Sequence, residues 1–486
     1  RKKKHMKKSV KKNYLYNLSY QILAIILPII TTPYLARVLG SNGTGIYSYT
    51  ISIVTYFILF GSLGIALYGQ REIAYVQNNE KKKNRIFTEL VFLRLITMFI
   101  AAIIFFFTFG IKGEYSLYYK ILLFEMLANA IDISWLYQGL EEFKKIVLRN
   151  FVVKILSIIF IFIFVKNPTD VWKYIAIYSL TTLFGNVSLW FKLKNYAKFD
   201  FEGFSLKKHI KPMLILFIPQ VAIQIYTVLD KTMLGSILND MNEVGYYEQA
   251  QKIVKILLTI ISSLGTVMLP RIAKCYAEGK TKEINEYLKK SFNFLFFLSF
   301  PMMFGIIAVS SNFVPLFFGK GYDSVVPILS IMSILMLLIG MSNITGNQYL
   351  LPTKKQGQYT ASVIIGACAN FILNLLLIPN LKSIGASIAT IIAEMLVTGS
   401  QLYFVRKNLD LKSYFKVGFK YLITGIVMLF ICLGIDIFIK SNIIGILVQG
   451  ICGMTVYFGI LYIIKDEFFL SCINNAKSIV KKIVKK

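Results

Sequence analysis

The feature that most constrains this chain is a series of long apolar stretches that continues from one end to the other. A helix needs about 20 mostly apolar residues to cross the hydrocarbon core of a bilayer. Stretches of about this length lie at 15–39, 46–69, 86–109, 117–138, 148–165, 171–191, 212–237, 246–270, 291–309, 325–351, 360–379, 384–405, 417–439 and 443–464. Only 16% of the residues are charged, whereas about 25% are charged in a typical soluble protein. The pattern predicts an all-α integral membrane protein with about fourteen transmembrane helices.

Lysine and arginine are unequally distributed between the two sides of these predicted helices. The connections on one side, together with both termini, hold 41 basic residues, and the connections on the other side hold six. Cytoplasmic loops of membrane proteins are enriched in lysine and arginine. The asymmetry predicts that both termini are cytoplasmic. It also accounts for the net charge of +30 without nucleic acid as a partner.

The chain contains an internal repeat with an offset of 200 residues. Residues 45–47 (GIY) align with residues 245–247 (GYY), and Arg71 aligns with Arg271. Six predicted helices separate the copies, so both copies have the same orientation in the membrane. Parallel repeats of this kind form the two halves of many transporters. The repeat predicts a first lobe of six helices at 15–200 and a second lobe at 201–410, followed by two further helices within 411–465. Together with the charge asymmetry, it leaves a basic cytoplasmic N-terminus at 1–14 and a basic cytoplasmic tail at 466–486.

Ionisable side chains inside the predicted spans are candidate functional residues, because charge is costly in a bilayer and usually faces a cavity or a partner. The basic ones are Arg94, Lys154, Lys231, Lys252 and Lys255, and the acidic ones are Glu125, Asp132, Asp230, Glu248, Glu394 and Asp436. A cavity with these basic side chains would suit an anionic substrate such as a phosphate or pyrophosphate group. The acids Asp230, Glu248 and Glu394 are candidates for coupling transport to H⁺ or Na⁺. Alternatively, Asp230 with Lys231 and Glu248 with Lys252 form structural ion pairs.

Several classes of site are excluded by composition. The five cysteines are scattered without metal-ligand spacing, and the two histidines cannot build a zinc site or a catalytic triad. The chain has no glycine-rich phosphate-binding loop of the P-loop type. We therefore expect a transporter rather than an enzyme, without a bound cofactor and without ATP hydrolysis by this chain.

Motifs along the whole chain resemble those of a known family of transporters. They are PYLARVLG at 33–40, GTGIY at 43–47, LDKTMLG at 229–235, EVGYY at 243–247, FFGKGY at 317–322, NFILNLLLIP at 370–379 and GASIAT at 385–390 with Glu394. In this order they resemble the Wzx-like polysaccharide (oligosaccharide-lipid) flippases of the multidrug/oligosaccharidyl-lipid/polysaccharide exporter superfamily. The motif positions carried onto this sequence are Arg37, Asp230, Lys231, Tyr247, Lys252 and Glu394. Arg37 thereby joins the cationic candidates.

The resemblance implies a two-lobed protein of the bacterial plasma membrane. Its substrate would be an undecaprenyl-pyrophosphate-linked oligosaccharide, moved from the inner to the outer leaflet for capsule, exopolysaccharide, O-antigen or teichoic acid assembly. It implies alternating access, in some members driven by an ion gradient, and membrane lipids, a polymerase and glycosyltransferases of the same pathway as partners. A cation-coupled small-molecule antiporter of the same fold is the alternative, although it would favour a more acidic cavity. A membrane-bound polymerase or glycosyltransferase is disfavoured by the short outer connections.

Overall fold

The computed structural model describes residues 2–439 and 442–484, with side chains over these ranges except at 2–25, 219, 222, 223, 225, 226, 266, 442, 475, 476 and 478–484. Arg1, Lys440, Lys485 and Lys486, which contribute to the predicted charge asymmetry, lie outside the described residues. The chain forms two compact units, Arg1–Gly245 and Tyr246–Lys486. Within the described ranges the regular elements are helices, and no strand occurs there. The predicted all-α fold is confirmed, whereas the lobe boundaries stay a prediction.

The first unit contains eight helices, which alternate with short connections. They are α1 (Lys2–Ser62), α2 (Ile65–Val76), α3 (Glu80–Phe105), α4 (Ser116–Ala130), α5 (Ser134–Gly139), α6 (Phe143–Phe164), α7 (Val171–Trp190) and α8 (Lys207–Leu238). The helix α1 includes two predicted spans, because its path is interrupted at Gly40, where φ is 70° and ψ is 178°. Glycine adopts positive φ readily, whereas a Cβ disfavours it. The sequence thus bends between two spans without a long loop.

The second unit is built in the same way, from long helices and short connections. It contains α9 (Met241–Ala277), which starts in the last residues of the first unit, and α10 (Thr281–Phe318), α11 (Val325–Met332), α12 (Leu335–Ser342), α13 (Gln356–Val405), α14 (Leu411–Phe438), α15 (Asn442–Ile463) and α16 (Glu467–Val484). The helix α13 includes two predicted spans. They are separated at Lys382, where φ is 52° and ψ is −132°, next to the break that the sequence predicts after Pro379.

The fourteen predicted spans agree in position with helical stretches of the described residues. Nine stretches in the described part of the chain are long and apolar enough to cross a membrane. Two of them cover more than one predicted span: Gln356–Val405 contains two, and Ile26–Val76 contains the second part of the first predicted span and the whole of the next. The predicted spans at 117–138, 171–191 and 212–237 are helical as well. The first of these is divided, because α4 ends at Ala130 and α5 begins at Ser134.

A short turn connects α6 to α7 and positions two helices that line the pocket described below. The carboxylate of Asp170 accepts hydrogen bonds from the backbone N–H groups of Lys166 (2.9 Å) and Asn167 (3.0 Å). The ammonium group of Lys173 lies 2.7 Å from the same carboxylate. These contacts, of which the hydrogen bond from Lys173 is the strongest, lower the pKa of Asp170 to about 2.

Asp170 is therefore expected to stabilise the turn at neutral pH and to lose this effect in acid. A lowered native pKa stabilises the fold at every pH above the unfolded-state value of about 3.9, and the contribution disappears as the pH falls toward the native value. The check compares the unfolding temperatures of the wild type and Asp170→Asn in detergent across this pH range. We expect a constant difference above about pH 4 that closes below it. A difference that persists in acid would contradict this role.

Candidate functional site

A polar pocket of about 400 Å³ lies inside the first unit, between α1, α4, α6 and α7. Its polar lining consists of Thr31, Glu125, Asn129, Asp132, Arg149, Asn150, Lys154, Ser157, Tyr178, Thr181, Thr182 and Asn186. All of these residues lie in predicted spans, where polar groups are costly and usually functional. A concave site with several convergent polar groups is the usual form of a small-molecule or head-group site.

The break between α4 and α5 gives one wall of this polar pocket its shape. The last carbonyl groups of a helix lack donors within the helix and need other partners. Three of them accept hydrogen bonds of 2.6 to 2.8 Å from side chains: Ala128 from Asn186 Nδ2, Asn129 from Arg94 Nε and Ile131 from Trp190 Nε1. The break is thereby held open by residues of α3 and α7, and it leaves Asn129 and Asp132 at the pocket.

A second hydrogen-bond network fixes Arg149 at the polar pocket. Its guanidinium donates to the Asn186 side-chain oxygen and, over 3.3 Å, to the hydroxyl of Ser134. The carboxylate of Asp132 in turn accepts hydrogen bonds from the Ser134 hydroxyl and from the Ser134 backbone N–H, the latter at 2.8 Å. Arg149 and Asp132 are thus connected through one serine and oriented by neutral neighbours.

The remaining charged residues of the lining are Glu125 and Lys154. Glu125 is buried, and its Oε1 accepts a hydrogen bond of 3.3 Å from Asn129. Lys154 is half-buried, one helical turn beyond Asn150 on α6. With Arg149 and Asp132, the lining holds two basic and two acidic side chains. The polar pocket is therefore balanced in formal charge rather than cationic.

The structure places the nine site residues predicted from sequence in different environments. In the first unit Lys154 lines the polar pocket, and Arg37 is exposed. Arg94 is buried and donates a hydrogen bond to the carbonyl of Asn129. Asp230 and Lys231 are buried in α8. In the second unit Lys252 lies 3.5 Å from Glu248, Lys255 donates to Gln251 over 2.9 Å, and Glu394 is buried in α13. Of these nine residues, Lys154 lines the polar pocket, and so do Glu125 and Asp132, which the sequence also gives as intramembrane candidates. The roles of all nine stay predictions.

Several lining residues were not identified from the sequence. Arg149 lies at the start of a predicted span and resembles a residue of the basic connection before it. The amides of Asn129, Asn150 and Asn186 carry no charge, and the candidates in the sequence were selected by charge. Their common signal is an amide side chain within an apolar stretch, where an unpaired polar group is costly.

The two segments that align in the internal repeat contact each other inside the first unit. The Ser41 hydroxyl donates to the Asn242 side-chain oxygen over 2.7 Å. A Cβ added to Gly45 would lie 3.0 Å from the backbone nitrogen of Gly245 and would overlap the carbonyl oxygen of Met241. A Cβ added to Gly245 would overlap the carbonyl oxygen of Ser41. Glycine at both positions thus permits two backbones to touch.

The same contact continues along α1 and α8 through hydroxyl groups. Tyr49 and Ser236 are 3.1 Å apart, and Thr232 lies 3.0 Å from Ser52 and 3.2 Å from Tyr56. Hydrogen bonds between small polar side chains contribute modestly to helix association in membranes, typically about 0.6 kcal/mol each. Such contacts make the interface specific in register.

Family models and known proteins give consistent matches. A model described as "Polysaccharide biosynthesis protein" matches residues 10–276, which is more than half of the chain, and a model described as MatE matches residues 216–379. The "Putative O-antigen transporter" of Escherichia coli (strain K12) is 27% identical over 408 residues, covering 83% of this chain and 98% of that protein. The capsular polysaccharide biosynthesis protein CapF of Staphylococcus aureus is 23% identical, covering 82% of this chain and 99% of that protein.

A solved structure has the same fold over nearly the whole chain. The lipid II flippase MurJ, in an inward closed conformation, aligns with a TM-score of 0.76 and 19% identity. The alignment covers 95% of this chain and 100% of that chain. At this level of identity the likeness establishes a common fold.

Proposed function

Because this chain belongs to the polysaccharide biosynthesis protein family, we propose that it moves lipid-linked oligosaccharides across a membrane. It is a membrane transporter rather than an enzyme. The observation that carries the proposal is the match to proteins named for O-antigen transport and capsular polysaccharide biosynthesis over nearly their whole length. The fold that the chain has in common with a lipid II flippase supports the same conclusion.

The detailed proposal specifies the lipid and the route. The substrate is an undecaprenyl-pyrophosphate-linked oligosaccharide, and it is moved from the inner to the outer leaflet of a bacterial plasma membrane in which both termini are cytoplasmic. Transport proceeds by alternating access, coupled to H⁺ or Na⁺ through the predicted acids Asp230, Glu248 and Glu394. The predicted cations Arg37, Arg94, Lys154, Lys231, Lys252 and Lys255 compensate the pyrophosphate charge.

The polar pocket supports recognition of the uncharged part of such a substrate. A charged group loses its hydration when it enters the hydrocarbon core, which is about 30 Å thick, and this desolvation costs much free energy. Sugar hydroxyls also cost free energy there when they have no hydrogen-bond partners. Amide, hydroxyl and balanced charged groups, such as Asn150, Ser157, Lys154 and Glu125, are suitable partners for sugar hydroxyls. A formally neutral lining favours the glycan over the pyrophosphate at this position.

An export assay with matched lysine variants tests the proposal. A strain that lacks this protein is complemented with the wild type, Lys154→Met or Lys120→Met, and surface polymer and lipid-linked oligosaccharide are measured. Lys120 is exposed on α4 and does not line the polar pocket. We expect the deletion to trap assembled lipid-linked oligosaccharide in the inner leaflet. Lys154→Met should reduce export about tenfold, since a charge-assisted hydrogen bond is lost, and Lys120→Met should restore it.

Two other outcomes would contradict the proposal in different ways. If the deletion leaves surface polymer and lipid pools normal while sensitivity to cationic dyes rises, the chain is a small-molecule antiporter. If the deletion abolishes export but Lys154→Met and Lys120→Met behave alike, the chain transports the lipid and the polar pocket does not bind it. Protein abundance in the membrane is measured for each variant, so that lost insertion is not mistaken for lost transport.

A further inference from the structure

A second cavity, the lateral groove, lies between α6 and α7 beside the polar pocket and has a volume of about 450 Å³. Its apolar walls are formed by Leu148, Val152, Leu156, Phe160, Phe184 and Phe191. Each of these side chains is partly or largely exposed, and Phe184 retains 66% of its surface. In a chain that spans a membrane, exposed apolar side chains in such helices face lipid. The lateral groove is therefore open to hydrocarbon chains.

One end of the lateral groove is basic. Lys145 and Arg149 lie in the first two turns of α6, and Lys192 follows the end of α7. The helices α6 and α7 are consecutive and joined by a short turn, so the start of α6 and the end of α7 lie at the same end of the pair. In the predicted topology this is the cytoplasmic end, at the level of lipid phosphates.

The two lysines at this end, Lys145 and Lys192, are not paired with carboxylates of the described residues. The ammonium group of Lys145 lies 3.8 Å from the ring centre of Tyr196 and 5.5 Å from that of Tyr137. Aromatic faces hold an ammonium group without cancelling its charge. Lys192 is exposed, and neither lysine forms an ion pair with a carboxylate of the described residues. This end of the groove is therefore complementary to a phosphate.

The lateral groove and the polar pocket have a common wall. Arg149, Val153 and Thr181 line both cavities. A molecule with an apolar chain, a phosphate and a polar glycan could thus contact the groove, its basic end and the pocket in that order. An ordinary phospholipid would contact the groove and its basic end, and would leave the pocket without a ligand.

We propose that the lateral groove binds the chain of a polyprenyl phosphate lipid, with its phosphate at Lys145, Arg149 and Lys192. The inference rests on the proposed function, because it assigns a path to the lipid part of that substrate. The groove accommodates part of a long chain, and the remainder stays in the bilayer. The lipid remains anchored while the glycan reaches the polar pocket.

Photo-crosslinking tests this assignment directly. The full-length protein, with p-benzoylphenylalanine in place of Phe184, is placed in nanodiscs of phosphatidylglycerol that contain a small share of undecaprenyl phosphate. The same photoprobe at Phe430 of α14, which is 68% exposed, is the control for general lipid exposure. After irradiation the lipid adducts are identified by mass. We expect undecaprenyl phosphate adducts to be enriched at position 184 over position 430.

Charge variants separate phosphate binding from general lipid contact. In the Phe184 photoprobe background, Lys145→Gln with Lys192→Gln should lower the undecaprenyl phosphate yield about tenfold. The control pair Lys82→Gln with Lys282→Gln removes two exposed lysines elsewhere and should leave the yield unchanged. Equal yields at positions 184 and 430, or phosphatidylglycerol adducts alone at 184, would overturn the assignment. In that case the export assay still decides the proposed function, because it does not depend on the photoprobe.

Discussion

Replacing Glu89 by alanine is expected to lower the free energy of unfolding by about 2 to 4 kcal/mol. The carboxylate of Glu89 is fully buried near the start of α3. Its Oε1 accepts hydrogen bonds from Lys208 Nζ (2.7 Å), Arg85 Nε (3.1 Å) and the backbone N–H of Ser205 (2.8 Å). Its Oε2 lies 2.9 Å from His209 Nε2. One carboxylate thus satisfies four groups on α3, on α8 and on the connection from α7 to α8.

The size of the expected loss follows from what remains when this carboxylate is removed. His209 is buried and also bonded to the hydroxyl of Tyr68 on α2 over 2.8 Å, so it cannot turn to solvent. The side chains of Arg85 and Lys208 are 36% and 41% exposed, and they can reach water. The cost is therefore expected to lie at or below the lower end of the range for a broken buried ion pair, which is about 3 to 5 kcal/mol.

The chain offers a matched control for this variant. Lys81 of α3 and Glu202 form an ion pair of 2.7 Å between the same helix and the same connection, but both side chains are more than two thirds exposed. Exposed ion pairs contribute little to stability. Unfolding temperatures in detergent should fall markedly for Glu89→Ala and stay unchanged for Lys81→Ala. If the two variants unfold at the same temperature, the buried cluster does not hold α8 to α3.

The fold was predictable because its main determinant, the apolar stretch of each helix, is local in the sequence. Each apolar stretch specifies its own helix, since a backbone in hydrocarbon must satisfy its hydrogen bonds internally. The form of the breaks between neighbouring helices was harder to predict. Gly40 and Lys382 adopt positive φ and redirect a continuous helix, and nothing in hydropathy distinguishes such a bend from a loop. The division after Ala130 depends on Arg94, Asn186 and Trp190, which are remote in sequence.

The candidate site was less predictable than the fold. A charged side chain inside a predicted span costs free energy and is therefore a candidate functional residue. Its position in the sequence does not identify its partner. Arg94 lies on the carbonyl of Asn129, and Lys252 lies 3.5 Å from Glu248, which agrees with the alternative of a structural ion pair. Glu125 and Asp132 were identified as intramembrane acids, yet their convergence with Arg149 and Lys154 required the packing of three helices. The sequence therefore identified single charged candidates, whereas the packing of the helices determined which of them lie together.

Gly45→Ala is expected to lower export strongly, because Gly45 lies in the contact between the repeated segments. The added Cβ would lie 2.7 Å from the carbonyl carbon of Met241, a backbone atom that cannot turn aside. Overpacking of this kind costs about 1 to 3 kcal/mol. If the contact forms in only one state of the transport cycle, the population of that state should fall by about 5- to 150-fold. Export should fall with it, because alternating access requires both states.

Accessibility of Val244 distinguishes a shifted equilibrium from a misfolded protein. Val244 is fully buried beside this contact, and in the proposed orientation it lies toward the outer face. With Val244→Cys in a background without other cysteines, labelling by an impermeant maleimide should increase when Gly45→Ala is added. Gly434→Ala is the control, because nothing lies within 4 Å of its added Cβ, and it should change neither labelling nor export. If Gly45→Ala exports normally and labels like the control, the two segments stay together throughout transport, and another interface must open.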